Sequence, residues 1–372
     1  MRLSRTLTGC LSAIALTIGC TKNDSPSTAV PDPVIPDFGP KVTTTLTGYV
    51  TDTTGAPVAG ATLAVGSKQA TSNAAGYFSL TNVSVPKIAG VVSASKSAFF
   101  KAYTSFVPRS GKESFVQVRL LKKSEWAQLN AQSGGEAQVG SLRFSLPGNS
   151  LVKADGSAYS GTVYIYARQI SYADETGAGS VMPGDARGTD GNGYLTLLQS
   201  FGTLAMELNG SSGETLQLAA GKKMTVTIPI PAELNATAPL KISVWSFDAG
   251  TGFWQEESLA PKTEESYVAT LSHASYWNAA LGFPTVSMTV RFVDDQGKPL
   301  VHAPLTITPI SMPAHSLYGR FGFTDTDGYA TGNVFSNANL MVNVLATDAD
   351  AFYSHPFKTS SNAIDLLTLT VK

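Results

Sequence analysis

The stretch from Thr47 to Leu80 constrains this chain more than any other. An apolar run ends at Tyr49-Val50, and Asp52-Thr53-Thr54-Gly55 then supplies turn chemistry. Pro57 fixes φ and offers no donor, which assigns it to the edge or start of a strand. Thr62-Leu63-Ala64-Val65 has strand composition, a polar run ends in Gly76, and Tyr77-Phe78-Ser79-Leu80 resumes alternation. Glycines in such turns answer a need for positive φ or a close backbone approach. A chain punctuated this often makes short antiparallel strands, and the expected product is a small β-sandwich.

The pattern returns near the other end, in residues 288–330. Val293 to Leu300 matches Val50 to Val58 with one residue fewer, and Leu305-Thr306-Ile307 matches the strand at Leu63. Thr326-Asp327-Gly328-Tyr329 matches Ala74-Ala75-Gly76-Tyr77 after a longer spacer. An internal repeat of this kind predicts two similar modules around a different middle.

The first copy reads Gly-x-Val-x-Asp-x-x-Gly-x-Pro-Val-x-Gly-Ala from Gly48 to Ala61, then Thr-x-x-x-x-Gly-x-Phe to Phe78. It resembles the carboxypeptidase regulatory-like domain, a transthyretin-like β-sandwich found beside some zinc carboxypeptidases. The second copy carries Arg291 and His302 where that family has small residues.

Residues 1–19 read as a targeting segment. Arg2 and Arg5 precede a short apolar core from Leu7 to Ile18, too short for a permanent bilayer span. Leu16-Thr17-Ile18-Gly19-Cys20 resembles the lipobox of bacterial lipoproteins, with Thr17 where Leu is commoner. Leu7-Thr8-Gly9-Cys10 fits the lipobox better but leaves almost no apolar core before it. That resemblance implies lipidation at Cys20, a membrane partnership through the N-terminal lipid, and, with Thr21 rather than Asp next, sorting to the outer membrane. An ordinary secretory signal is the alternative. Both cysteines of the chain, Cys10 and Cys20, fall in this region, so no disulfide framework is expected. Residues 20–42 carry Pro31, Pro33, Pro36 and Pro40 and predict an extended tether.

Residues 43–121 form the first expected sandwich, 122–282 a middle β-domain, and 283–372 the second sandwich. The fold class is therefore all-β, with tandem Ig/transthyretin-like β-sandwich modules flanking a middle β-domain. Thirty-four Gly and 20 Pro agree with this. The only helix candidate is Ser124 to Gln132, with Ser124 as its cap.

The middle holds the most distinctive residues. Lys241–Phe247 and Phe253–Glu257 read as a hairpin around Asp248–Gly252, with Trp245 and Trp254 placed to pair across it. Leu146-Pro147-Gly148-Asn149-Ser150-Leu151, Met182-Pro183-Gly184-Asp185, Trp245-Ser246-Phe247-Asp248-x-x-Thr251-Gly252-x-Trp254-x-Glu256-Glu257 and Ser272-His273-x-Ser275-x-Trp277-Asn278 are similar to a region of other bacterial lipoproteins. Cartilage intermediate layer protein has a similar region. The resemblance implies an extracellular β-domain rather than a particular chemistry.

Catalytic signatures are missing. None of His273, His302, His315 and His355 opens a zinc-peptidase spacing. There is no Gly-x-Ser-x-Gly elbow and no phosphate-loop motif. Formal net charge is −1 with no basic stripe, which argues against a nucleic-acid partner. The expectation is no enzyme and no cofactor.

Three constellations remain. Asp325 and Asp327, with Asp294-Asp295, offer oxygens to Ca²⁺, against ordinary turn use of Asp-Gly. Trp245, Trp254, Tyr276 and Trp277, with Tyr164, could stack on sugar, against packing in a core. His273-Ala274-Ser275 resembles the His-Phe-Ser sequence of self-cleaving β-domains, against a structural histidine. The expected work is structural, adhesive or protein-binding, with glycan binding beside polysaccharide uptake as the alternative and self-cleavage or cryptic hydrolysis as the minor one.

Overall fold

A computed structural model of the protein describes residues 30–175, 180–311, 322–346 and 351–371. Cys20, the targeting segment and His315 lie outside the described residues. The only helical turns among the described residues are two short 3₁₀ turns, at Tyr172–Glu175 and Ala232–Leu234. Everything else regular is strand, and the protein is all-β.

Seven strands build the N-terminal unit: β1 (Lys41–Asp52), β2 (Thr62–Val65), β3 (Lys68–Thr71), β4 (Tyr77–Pro86), β5 (Gly90–Ser95), β6 (Ala102–Phe106) and β7 (Glu113–Leu120). They form two sheets, ordered β4-β1-β7 and β3-β2-β5-β6. The sheets face one another across Leu46, Val50, Phe78 and Val118 on one side and Leu63, Val92 and Ala94 on the other. Alternation decides which residues go inward: in β4, Phe78, Leu80, Val83 and Val85 are buried and most of their neighbours are exposed.

The C-terminal unit repeats this plan with β21 (Thr285–Val293), β22 (Pro304–Pro309), β23 (Gly322–Phe323), β24 (Tyr329–Phe335), β25 (Asn339–Ala346), β26 (Ala351–Lys358) and β27 (Ile364–Thr370). Its sheets run β24-β21-β27 and β23-β22-β25-β26. In both units the first strand pairs antiparallel with one neighbour and parallel with the last strand.

The opening turns of the two units agree residue for residue, which corrects the sequence alignment. Val50 N–H donates to Gly76 and Val58 N–H to Val50; Phe292 N–H donates to Gly328 and Leu300 N–H to Phe292. Phe292, not Val293, is thus the counterpart of Val50, and no residue is missing between the copies. Gly55 and Gly297 hold the same place in these turns at φ 87° and 81°, where any side chain would be strained.

Between the sandwiches lie β8 (Trp126–Asn130), β9 (Gly134–Val139), β10 (Leu142–Pro147), β11 (Leu151–Lys153), β12 (Thr162–Ile170), β13 (Arg187–Thr189) and β14 (Leu195–Gly210). The middle continues with β15 (Thr215–Leu218), β16 (Met224–Pro229), β17 (Lys241–Asp248), β18 (Phe253–Thr263), β19 (Ser266–Leu271) and β20 (Tyr276–Phe283). The longest path runs β11-β15-β14-β20-β17-β18-β19-β16-β10-β9, with β12 joining β14 to β8. β18 lets this sheet turn back on itself, pairing with β17 along its length and with β19 at Lys262 and Thr263. The core closes between the halves, with Phe144, Val226 and Leu271 against Ile165, Leu204 and Trp277.

Three expectations need correction here. The helix predicted at Ser124–Gln132 is strand β8, because Trp126, Gln128 and Asn130 face solvent while Ala127 and Leu129 turn inward. The isolated propensity favours helix, but pairing with β12 prevails. Trp245 does not pair with Trp254: a bulge after Val244 sets Trp245 opposite Glu256 and Phe247 opposite Trp254. The described end of the tether lies against the body, since Leu195 N–H donates to Val34 at 2.7 Å and Phe38 meets Phe253 edge-on at 5.2 Å.

Candidate functional site

The motif residues of the middle domain converge on one carboxylate. Glu257 of β18 accepts hydrogen bonds from Ser246 (2.5 Å) in β17 and from Ser272 (2.8 Å) in the turn after β19. Ser272 Oγ also lies 2.9 Å from His273 Nδ1. The His273 carbonyl accepts from the Trp277 indole at 3.0 Å. These two motifs, 26 positions apart from Ser246 to Ser272, are thus one hydrogen-bonded unit that ties three strands together. Burial lowers the His273 pKa, and the nearby Glu257 charge only partly opposes this, so the site favours the neutral ring.

The geometry does not support self-cleavage at His273 and Ser275. His273 is engaged with Ser272, while Ser275 Oγ donates to the Phe247 carbonyl at 3.5 Å. Ala274, whose carbonyl Ser275 would attack, is clamped by Gln217. Its N–H donates to Oε1 at 2.9 Å and its carbonyl accepts from Nε2 at 3.3 Å. A peptide held on both sides by one amide is stabilised, not strained toward attack.

The sugar-stacking expectation for Trp245, Trp254, Tyr276 and Trp277 is overturned by burial. They are 1, 0, 6 and 0% exposed. Alternation in β20 sends Trp277 into the inner core and Tyr276 to the opposite face. That opposite face is covered: Phe100 and Leu121 of the N-terminal unit and Val181 and Met182 of the middle pack with Trp245, Phe247, Trp254 and Tyr276. Tyr103 lies 5.5 Å from Phe247 and 6.4 Å from Tyr276. Burial, reinforced by Glu207 and Tyr103, raises the Tyr276 hydroxyl pKa far above its ordinary value. The sequence signal was correct about aromatic density but could not show which sheet face a neighbouring unit covers.

The Asp325 and Asp327 turn is also structural. Asp325 Oδ1 accepts from the N–H groups of Asp327 and Tyr329, both at 2.9 Å. In the other repeat, uncharged Asn73 does the same for Ala75 and Tyr77, at 3.0 Å each. A position that Asn fills equally well is a turn position. The other oxygen of Asp325 pairs with Arg109, and Asp327 pairs with Lys112 at 2.8 Å. No cluster suited to a metal ion occurs among the described residues.

Those cations belong to the N-terminal unit, so the turn is half of a clamp between the two sandwiches. The Arg109 guanidinium lies over Tyr329 at 4.2 Å. Phe115 stacks on His302 at 4.2 Å with an interplanar angle of 12°, and Phe323 meets Phe115 edge-on at 5.2 Å. His302 Nε2 is 3.4 Å from Glu113. Burial lowers the His302 pKa, opposed in part by Glu113 and Asp325. The middle domain joins through the Met182–Asp185 motif, whose Asp185 pairs at 2.7 Å with buried Arg187, while Arg187 also donates to Ile88 at 2.8 Å. A cavity of about 110 Å³ lies at the junction, touched by Arg109, Phe115, Arg187, Phe323 and Tyr329. Its size suits a few waters rather than a drug-sized ligand.

Sequence reading missed the clamp because Arg109, Lys112, Phe115 and His302 sit in unremarkable contexts on separate modules. The one available signal was His302, a large residue where the first repeat has Gly60. It also missed exposed Trp126 on β8, whose ring lies 5.4 Å from half-buried Tyr164 on β12.

No family model matches the chain. Cartilage intermediate layer protein 2 of Homo sapiens is 29% identical over 163 residues, covering 41% of this chain and 14% of that protein. The Mus musculus protein is 28% identical over 165 residues, covering 41% and 13%. The chain thus spans about one seventh of the curated relatives it matches. Among solved structures, the TIE protein of Bacillus anthracis aligns over 89% of this chain and 50% of its own, with a TM-score of 0.19 and 10% identity. BcpA, the major pilin subunit of Bacillus cereus, aligns over 89% and 99%, with a TM-score of 0.18 and 9% identity. Likenesses at these scores carry no argument.

Proposed function

We propose that this chain is a non-catalytic, lipid-anchored module of the outer membrane, with structural, adhesive or protein-binding work outside the cytoplasm. Two sandwiches brace a middle domain, and cartilage intermediate layer protein 2 is similar to 41% of the chain. One observation carries the reading. The polar groups that sequence inspection singles out are used internally: Asp325 by its turn and Arg109, His273 by Ser272, and Glu257 by Ser246 and Ser272. Polar groups satisfied within the fold rigidify it, which suits a structural module.

The test is made in a Gram-negative host. The full chain should fractionate with the outer membrane, and Cys20→Ser should release it to the soluble fraction. The purified mature chain should stay one band on a denaturing gel and turn over no ester, peptide or glycoside substrate. Sustained turnover, or a second band lost in Ser275→Ala, would refute the non-catalytic reading.

Glycan binding remains as a second reading, because the middle domain presents an exposed indole: Trp126 is 53% exposed and lies edge-on to half-buried Tyr164.

A further inference from the structure

We infer that the outer face of the β8-β12-β14-β15 sheet is a platform for a neutral polysaccharide, with exposed Trp126 as its stacking ring and Tyr164 set edge-on against it. This rests on the glycan-binding reading and gives it a site. Cross-strand pairing fixes the layout. Gln128 lies opposite Tyr164, and Tyr164 opposite Asn209, so these side chains share one face. Trp126 lies opposite Tyr166 in the same row system. In β8, Trp126, Gln128 and Asn130 all face solvent.

Three properties choose the occupant. First, an exposed indole costs nothing by removal from a core, and it pairs with a tyrosine whose ring it meets at 68°. The exposed part of the indole offers a surface to a flat apolar partner such as a sugar ring face. Second, its neighbours Gln128 and Asn130 are amides, which offer both donors and acceptors to hydroxyl groups. Third, the charges on this face are cancelled in place: Glu207 pairs with Lys123, and Arg168 with Asp174. A neutral chain is therefore favoured over an acidic polysaccharide or a nucleic acid. From β8 to β15 is three strand spacings, about 14 Å, enough for about three sugar units. The N-terminal unit bounds the platform, since Lys101 N–H donates to Glu207 at 3.1 Å, and Lys123, in the link that follows that unit, lies 5.6 Å over the Tyr166 ring.

The four tryptophans make the test direct, because Trp245, Trp254 and Trp277 are buried and Trp126 alone is exposed. The full mature chain would be run in native gels containing mixed-linkage β-glucan, xylan, galactomannan or, as the acidic control, pectin. At least one neutral polymer should retard it and should protect Trp126 emission from acrylamide quenching. Trp126→Ala and Tyr164→Ala should each weaken retardation by about tenfold with an unchanged melting temperature. If Trp126→Ala were to unfold the chain, the quenching result on the unaltered protein and Gln128→Ala would decide. Undiminished retardation of Trp126→Ala would overturn the platform and leave glycan binding standing. Retardation by pectin alone, or by none of the polymers, would overturn both. A dimer that dissociates in Trp126→Ala, with no sugar effect, would identify the face as a self-contact and overturn the proposal.

Discussion

Gly48 and Gly55 occupy neighbouring motif positions for different physical reasons. Gly48 sits in the middle of β1, where a Cβ would lie 2.0 Å from the Val116 carbonyl oxygen of the parallel neighbour. Gly55 has open space around it, and only its φ of 87° demands glycine. Gly48→Ala must move backbone in a central sheet, and its cost falls at the upper end of about 1–3 kcal/mol. Gly55→Ala should cost about 1–2 kcal/mol from left-handed strain alone. Urea midpoints of the two variants check this, and an equal or smaller loss at Gly48 would contradict it. The need for glycine was legible in the sequence at both sites. Why each was needed was not, because Val116 is 68 positions from Gly48 and only the sheet brings them together.

At the scale of elements, the recurrent device is an Asx turn between strands. Asp52 Oδ1 accepts from Thr54 and Ala56 N–H groups at 2.9 and 3.0 Å; Asp294 Oδ1 does so from Gln296 and Lys298 at 3.0 and 2.8 Å. Asp190 repeats it for Asn192 and Tyr194 in the middle domain. One carboxylate oxygen thus replaces two lost backbone acceptors. Asp294→Ala should lower stability by about 1 kcal/mol, by analogy with loss of a helix cap, while Asp294→Asn should retain most of it. Millimolar Ca²⁺ should leave the melting temperature of the unaltered chain where it was. A Ca²⁺-dependent rise abolished by Asp325→Asn would show that these turns bind the ion after all. Strand patterning in β2, β4 and β17 was plain in the sequence for the same local reason that the turns were. β8 was not, since a five-residue edge strand carries too few alternations to outweigh its helix-compatible composition.

At the scale of the whole molecule, the sandwiches are joined by charge and by rings rather than by a shared core, which makes their contact responsive to solution conditions. Arg109, Lys112 and Glu113 face Asp325, Asp327 and His302 across it. A hydrogen bond from Lys112, joined by the charges of Lys112 and Arg109, outweighs desolvation and holds the Asp327 pKa below its ordinary 3.8. A depressed carboxylate contributes stability that is present above 3.8 and lost as pH falls through the folded value. His302 is also depressed, by burial first, so the fold favours its neutral form; that contribution is complete above 6.5 and lost on acidification. Both groups therefore loosen the contact in the same direction, His302 at the milder pH. Protection of the amides in β7 and β23, taken after correction for the intrinsic pH dependence of exchange, should fall as pH drops below 6.5, with little change in the inner core of the middle domain. His302→Gln should flatten that step, leaving only the one at lower pH. Added salt should quicken exchange at neutral pH in the unaltered chain, since pairs as exposed as Lys112–Asp327 are readily screened. Arg109→Ala, which removes both the pair with Asp325 and the cation on Tyr329, should give the same fast exchange at low salt. If exchange in β7 and β23 is indifferent to pH, salt and Arg109 alike, then Phe115, Phe323 and the junction with Arg187 hold the sandwiches without help from charge.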